Sequence, residues 1–471
     1  MKFSTSVILS VAAIPVVAAH DNAARHHKVA RQAAAAAPSS GSASATTPAP
    51  SASSAAATGL PVTLLSTNPS AVPIASIVAG AASQATVPLA STATPGATPT
   101  WASNAPALPA ASSLVIANYP PLDKPPPTDS PEVQQWIQDV KNSGVNIPNI
   151  NATVDGGCPA NLAAVADDAN RCWWTCGGCT RSTDITTCPD KMTWGLTYDD
   201  GPSLYTPDLL NYLDSQSLKA TFFVVGSRAL SNPGILQAQY MGGHQIGVHT
   251  WSHPSLTTLS NEEIIAELGW TKKIIKDVLG VTPNTMRPPF GDIDDRVRAI
   301  STAMGLTPII WTRISPMATF DTEDFEISGG TVTVQQVMQN WESILGNAST
   351  INNGFIVLEH DLFQQTVDVA TGYILPDALA HKNPSFKIEP VVSCLNKPLT
   401  DAYIELNDNK TNPPAASGSA VTLTSGAPGS AQATGGSSAS SSGAAGRFSA
   451  DGLTAFTLAT GLIAGALSLL A

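Results

Sequence analysis

The sequence predicts an α/β fold: a distorted (β/α) barrel of about seven parallel strands, flanked by disordered Ser/Thr/Ala/Pro-rich segments. Three observations carry this. Between residues 191 and about 390, short apolar runs alternate with helix-patterned stretches. The reactive polar residues fall at the C-terminal ends of those runs, the rim that carries chemistry in such a barrel. The composition changes abruptly on both sides of this region, to low-complexity sequence that cannot bury enough apolar surface to order itself.

The elements follow in order. "MTWGLTYDD" reads as a strand and "TPDLLNYLDSQ" as a helix. "ATFFVVG" is a buried strand, and "NPGILQAQYMGG" is a helix with Pro near its start and Gly at its end. "HQIGVHT" is a strand. "SNEEIIAELGWTKKIIKDVLG" is the clearest helix, with Ser260 as N-cap, Glu263 three residues on and Gly280 as the stop. "TMRPPFG", "DDRVRAISTAMG", "LTPIIWTR", "TVQQVMQNWESILGN", "GFIVLEHD", "YILPDALAH" and "FKIEPV" continue the alternation.

Outside this region, residues 32 to about 117 are nearly all Ala, Ser, Thr, Pro and Val, and residues 412 to 446 are similar with Gly added. Both read as O-glycosylated or plain linker. The N-terminus, "MKFSTSVILSVAAIPVVAAHD", has a basic start, an apolar run and small residues at 17–19, the pattern of a secretory signal peptide. After residue 440, small residues, a polar spacer and an apolar tail follow in the order of a glycolipid (GPI) anchor signal, with Ser442 or Gly443 as the attachment site. The expected organisation is therefore a signal peptide (1–19), a low-complexity segment (20–129) and an extension with a Cys-rich preface (130–187). A catalytic domain (188–400), a Ser/Gly/Ala-rich stalk (401–442) and a removed anchor signal (443–471) complete it. A secreted protein anchored at the cell membrane is implied.

Only 12% of residues are charged and the formal net charge is −12, which argues against a nucleic-acid partner. The six cysteines, Cys158, Cys172, Cys176, Cys179, Cys188 and Cys394, suit disulfides in an oxidising compartment rather than a zinc knuckle. Cys394 stands far from the others and closes onto the early cluster if all pair; Cys188, just before the first strand, is its expected partner. Asn151, Asn347 and Asn409 head Asn-x-Ser/Thr sequons.

"HTWSH" places His249 and His253 four residues apart, on one face of a helical turn, where two imidazoles can share a metal. "YDDGP" places Asp199 and Asp200 where a strand enters a turn. One carboxylate can be the third metal ligand and its neighbour a base for a bound water; spacing leaves open which is which. A turn-forming Asp-Asp-Gly-Pro without chemistry is the competing account.

"TYDDGP", "HTWSH", "RPPFGD", "FDTEDF" and "VLEH" occur in the order of the five motifs of the carbohydrate esterase 4 (NodB-type) polysaccharide deacetylases, and the chain resembles that family over about residues 188 to 395. The resemblance implies metal-dependent hydrolysis of N-acetyl groups on cell-wall chitin by a monomer, with Zn²⁺ or Co²⁺ as cofactor. It implies Asp199 as general base, Asp200, His249 and His253 as metal ligands, and His360 as general acid. Arg287 would orient the base, the backbone near Phe290 would hold the oxyanion, and Leu358 would line the acetyl pocket. Asp321 or Asp324 would support His360. Phe325 stands where the family has Trp, and "RISPMAT" interrupts the approach to this motif, so the choice between the two aspartates stays open. His244 matches a recurrent family histidine and reads as structural. The "CWW" aromatics read as packing. Other classes consistent with the sequence are a deacetylase of acetyl-xylan or peptidoglycan, and a non-catalytic chitin-binding wall protein.

Overall fold

The structure, a computed structural model, describes residues 62–407. The signal peptide, Asn409, Ser442, Gly443 and the apolar tail lie outside the described residues. Among the described residues no helix is long and apolar enough to cross a membrane.

The chain is α/β with mostly parallel strands. Five strands run parallel in sequence order: β2 (Thr197–Asp199), β3 (Thr221–Val224), β4 (Gln245–Val248), β5 (Thr285–Met286) and β6 (Thr307–Pro308). A second parallel sheet has β1 (Thr193–Gly195) between β9 (Phe355–Ile356) and β10 (Lys387–Glu389). An antiparallel hairpin, β7 (Arg313–Ser315) and β8 (Ala318–Thr319), is the third. Among the described residues these are ten short segments in three sheets where seven strands of one barrel are expected. The reason is visible at Leu196. The run "MTWGLTYDD" is interrupted there because its partners change: the Leu196 N–H donates to Glu389 O, whereas its carbonyl accepts from Thr221 N. The run "LTPIIWTR" likewise keeps only two residues in the ladder before the hairpin intervenes.

Helices cover the sheets. The segment Asn261–Leu279 buries Ile264, Ile265, Leu268, Ile274, Ile275 and Val278, and begins with the expected capping box between Ser260 and Glu263. It ends at Gly280, whose φ of 78° is the left-handed conformation of a helix stop. Val334–Thr350 packs beside β8 and likewise buries Val337, Met338, Trp341 and Ile344. Strands packed on both sides explain why "ATFFVVG" is apolar at all but Thr221: β3 is buried at every position.

The N-terminal flank departs from expectation. Residues 62–129 lie against the domain, although their composition reads as disordered. Ile74, Ile77, Ala102, Ala105 and Leu108 join the main core. Irregular backbone is satisfied by domain side chains: Leu65 N donates to Asp377 Oδ1 (2.6 Å) and Gln84 N to Gln364 Oε1 (2.8 Å). The segment in turn gives side-chain bonds back, Trp101 Nε1 to Tyr240 O and Tyr119 OH to Asp277 Oδ2. A strap of this kind has neither a 3.6 nor a 2.0 period, so periodicity cannot reveal it.

The Cys-rich preface packs as expected. Its bridges are Cys158–Cys176 and Cys172–Cys179, and Cys188 pairs with Cys394 across 206 residues. Buried ion pairs fasten it to the helix Asp295–Ala303 and the turn before it: Arg171–Asp294 (2.8 Å), Arg181–Asp295 (2.5 Å) and Arg298–Asp184 (2.9 Å). Trp173 donates to Asp292, and Trp174 packs edge-on to Trp311 at 4.5 Å. Asn151 is exposed and Asn347 partly so.

Closing so long a loop, the Cys188–Cys394 bridge constrains the unfolded chain strongly. A Cys188→Ser, Cys394→Ser double variant is expected to lose about 2–5 kcal/mol of stability. Chemical denaturation with unchanged midpoint would contradict this.

Candidate active site

The site is built on the ends of the parallel strands. Asp199 closes β2 and Asp200 follows it; His249 follows β4, and Arg287 follows β5. His360 lies beyond β9, in a parallel bridge with Asp199. The strand-end residues of four separate stretches are thereby brought together.

Asp200, His249 and His253 form the one potential metal cluster among the described residues, all buried, with ligand atoms within 4.8 Å of one another. Asp200 Oδ1 stands 3.4 Å from His249 Nε2 and 3.1 Å from His253 Nε2. Two ligands on one ion at about 2.0–2.2 Å stand about 3.0–3.5 Å apart at right to tetrahedral angles. The donor set and its spacing therefore fit a divalent ion. The tautomer fits as well. His249 Nδ1 lies 2.8 Å from the Arg287 carbonyl, which only accepts, so Nδ1 carries the proton and Nε2 the lone pair.

The histidines do not meet on a helical turn as the spacing suggests. Residues 249–255 are loop, and Thr250 (φ 64°) and His253 (φ 62°) take left-handed backbone. Asp200 (φ 79°) and Phe290 (φ 59°) do the same. Each such residue costs about 1–3 kcal/mol and persists only where its surroundings hold it. For the histidine loop the holder is Glu267, which the sequence reading missed. Its carboxylate accepts from Trp251 N (2.7 Å), Ser252 N (2.8 Å) and Ser252 Oγ (2.5 Å). Burial pushes the Glu267 carboxyl up to about 7, opposed by these bonds. The available signal was a charged residue on the buried stripe of an otherwise regular amphipathic helix.

Asp199 and Asp200 are separated in environment. Asp199 Oδ1 accepts from Arg287 Nη1 at 2.8 Å, while its Oδ2 is 3.8 Å from His249 Nε2. Arg287 is fully buried, donates also to Thr197 Oγ1 and Ile309 O, and lies 4.4 Å over the Phe223 ring.

Of the two acidic candidates beside His360, Asp324 makes the contact. Its Oδ1 is 2.7 Å from His360 Nδ1, and its Oδ2 accepts from the His360 N–H at 2.9 Å. Burial opposes a charged His360 ring. The Asp324 carboxylate, with Asp200 and Asp199 behind it, outweighs that and pushes the imidazole up to about 10. Asp321 accepts from Glu323 N instead and pairs by backbone with Leu358; desolvation pushes its carboxyl up to about 7. The Phe325 ring stands edge-on to His360 at 4.9 Å, and Phe290 edge-on to His253 at 4.6 Å. Leu358 is buried beside them. His244 is structural: its Nδ1 accepts from Ala220 N, and burial pulls its pKa down to about 3.

In the metal-free protein the His360 ring is expected to stay protonated through neutral pH. Replacing Asp324 with Asn removes the largest stabilising charge and its hydrogen bond while the cost of burial stays, so the ring's pKa is expected to fall from about 10. Imidazole NMR titration of both proteins reads this; a ring that titrates alike in both overturns it.

Residues 186–309 match the family described as polysaccharide deacetylase. Chitin deacetylase 1 of Cryptococcus neoformans var. grubii is 55% identical over 353 residues, covering 74% of this chain and 73% of that one. Chitin deacetylase of Amylomyces rouxii is 40% identical over 228 residues, 43% of this chain and 52% of that one. Among solved structures, the chitin deacetylase from Colletotrichum lindemuthianum is 28% identical with a TM-score of 0.42, covering 48% of this chain and 97% of that one. With a 55% identical relative covered over most of its length, the chain belongs to the polysaccharide deacetylases, the NodB-type carbohydrate esterases.

Proposed function

We propose that this chain hydrolyses the N-acetyl groups of cell-wall chitin, releasing acetate and leaving glucosamine units. The observation that carries the reading is the adjacency of three differently charged groups at one strand rim. These are the Asp200–His249–His253 trio, the Asp199–Arg287 pair and the His360–Asp324 pair. Chitin as substrate is supported by the relatives named chitin deacetylase.

Asp200, His249 and His253 would hold a divalent ion, Zn²⁺ or Co²⁺, which supplies a Lewis acid for the attacking water and the acetyl carbonyl. Asp199 takes the proton from that water. The Arg287 guanidinium at 2.8 Å holds and orients its carboxylate. The backbone N–H near Phe290 donates to the oxyanion as the carbonyl becomes tetrahedral. His360, charged beside Asp324, gives its proton to the departing amine. Nδ1 is engaged by Asp324, so the transfer falls to Nε2. Leu358 and Phe325 line the acetyl end of the cleft.

The same reading takes the two parallel sheets as one distorted barrel of about seven strands. The bridges Asp199–His360, Ile185–Ile309 and Asp321–Leu358 support that closure. It also takes the protein as secreted and GPI-anchored, working as a monomer outside the cell. The signal-like start, the anchor-like tail and the three disulfides support this.

Acetate release tests the substrate. Chitin oligomers are expected to be turned over in preference to acetyl-xylan and peptidoglycan; release from either of the latter alone overturns the assignment. Asp199→Asn is expected to lower turnover by about 10²–10⁴-fold while metal content stays at the wild-type level. Equal rates in variant and wild type would remove Asp199 from the mechanism. Phosphatidylinositol-specific phospholipase is expected to free the protein from cell membranes, and persistence on the membrane counts against the anchor.

A further inference from the structure

Asp200 must keep left-handed backbone, φ 79°, to set its carboxylate between His249 and His253. A residue with a side chain stays there only when its neighbours hold it. Two holds meet at this point. Arg228 Nη1 donates to the Asp200 carbonyl at 2.7 Å. On the other side the Gly201 N–H donates to Asp361 Oδ1 at 3.0 Å.

Asp361 is fully buried, and each of its polar groups is engaged with the 199–206 loop. Oδ2 accepts from Thr206 Oγ1 at 2.6 Å, and the carbonyl accepts from Ser203 Oγ at 2.6 Å. The amide N–H donates to Asp199 O at 3.1 Å. The approach is close enough to demand glycine opposite: a Cβ on Gly201 would stand 2.4 Å from both carboxylate oxygens. Asp361 also follows His360 directly, so one residue ties the loop of the base and ligand to the strand end that carries the acid.

We propose that Asp361 is a positioning residue for the metal-holding trio: braced by Thr206, its carboxylate fixes Gly201 and so holds Asp200 in the left-handed conformation that presents its side chain to the ion. This rests on the metal reading of the trio. Asp361 gives no proton and touches no substrate. Its effect passes through Asp200, so it is read as metal affinity first and as turnover second.

The test titrates metal-free protein with Zn²⁺ against a chromophoric chelator, alongside kcat and KM for chitin oligomers. Asp361→Ala is expected to weaken Zn²⁺ by about 10–100-fold and to lower kcat at nearly unchanged KM. Asp361→Asn, which keeps an acceptor oxygen for Gly201, is expected to restore most of that affinity. Zn²⁺ binding by folded Asp361→Ala within about twofold of wild type overturns the proposal, as does an Asn variant no better than the Ala variant. If Asp361→Ala does not fold, Thr206→Val takes its place, because it removes one brace without emptying the site. A loss of about threefold or more in Zn²⁺ affinity is then expected, and a smaller one overturns the proposal. Wild-type protein that takes up no Zn²⁺ overturns the metal reading itself, an outcome distinct from unchanged variants of a binding wild type.

Discussion

The buried Arg287–Asp199 ion pair is the constraint on which the rest of the site depends. A guanidinium in a protein interior is tolerated only when its donors and charge are matched. Here Asp199 and Thr197 from β2, the Ile309 carbonyl beyond β6 and the Phe223 ring of β3 share that task. One side chain thereby fixes the lateral positions of three strand ends. Its own carbonyl sets the tautomer of His249. Breaking such a pair leaves an uncompensated buried charge, typically about 3–5 kcal/mol. The base, one metal ligand and the local sheet geometry are therefore coupled through one residue.

Around that pair the site carries a surplus of acid. Asp199, Asp200, Asp321, Asp324, Glu359 and Asp361 are crowded at one rim, with Arg287, Arg228 and His360 as the cations among them. Desolvation pushes Glu359 well up from its ordinary value, and Asp321 and Asp361 up to about 7. A divalent cation held by the Asp200–His249–His253 trio would offset part of this charge. The arrangement also divides the proton chemistry. An arginine orients the carboxylate proposed as base, and an imidazole beside a carboxylate is kept as acid.

The layers outside the strands serve this rim. The preface, closed on itself by two disulfides, is fastened by buried Arg–Asp pairs to the segment that follows Phe290. Trp174 fills the space left by Gly291, where a Cβ would come within 2.3 Å of its ring. The strap of residues 62–129 engages the segment after His360 through Gln84–Gln364 and Gln84–Asp368, and the histidine loop through Pro121–Trp251. Positively strained backbone at Asp200, Thr250, His253 and Phe290 needs such support from several directions.

Local chemistry made much of this protein legible in its sequence. The alternating apolar runs, the Ser260–Glu263 capping box and the glycine stop act over a few residues and specify helices and strands directly. The ordered motifs likewise marked Asp199, Asp200, His249, His253, Arg287 and His360. Only the tertiary structure decided the matters that depend on groups distant in the chain. It selected Asp324 over Asp321 beside His360, separated the environments of the two adjacent aspartates, and brought the histidines together through left-handed loop rather than helix. It also ordered the strap that composition marks as disordered, and revealed Glu267 and Asp361 as loop supports. The physical reason is common to all of these. Periodicity and motif spacing report what a residue does to its neighbours in sequence, whereas charge compensation, hydrogen-bond satisfaction and left-handed backbone are settled by whatever the fold places against it.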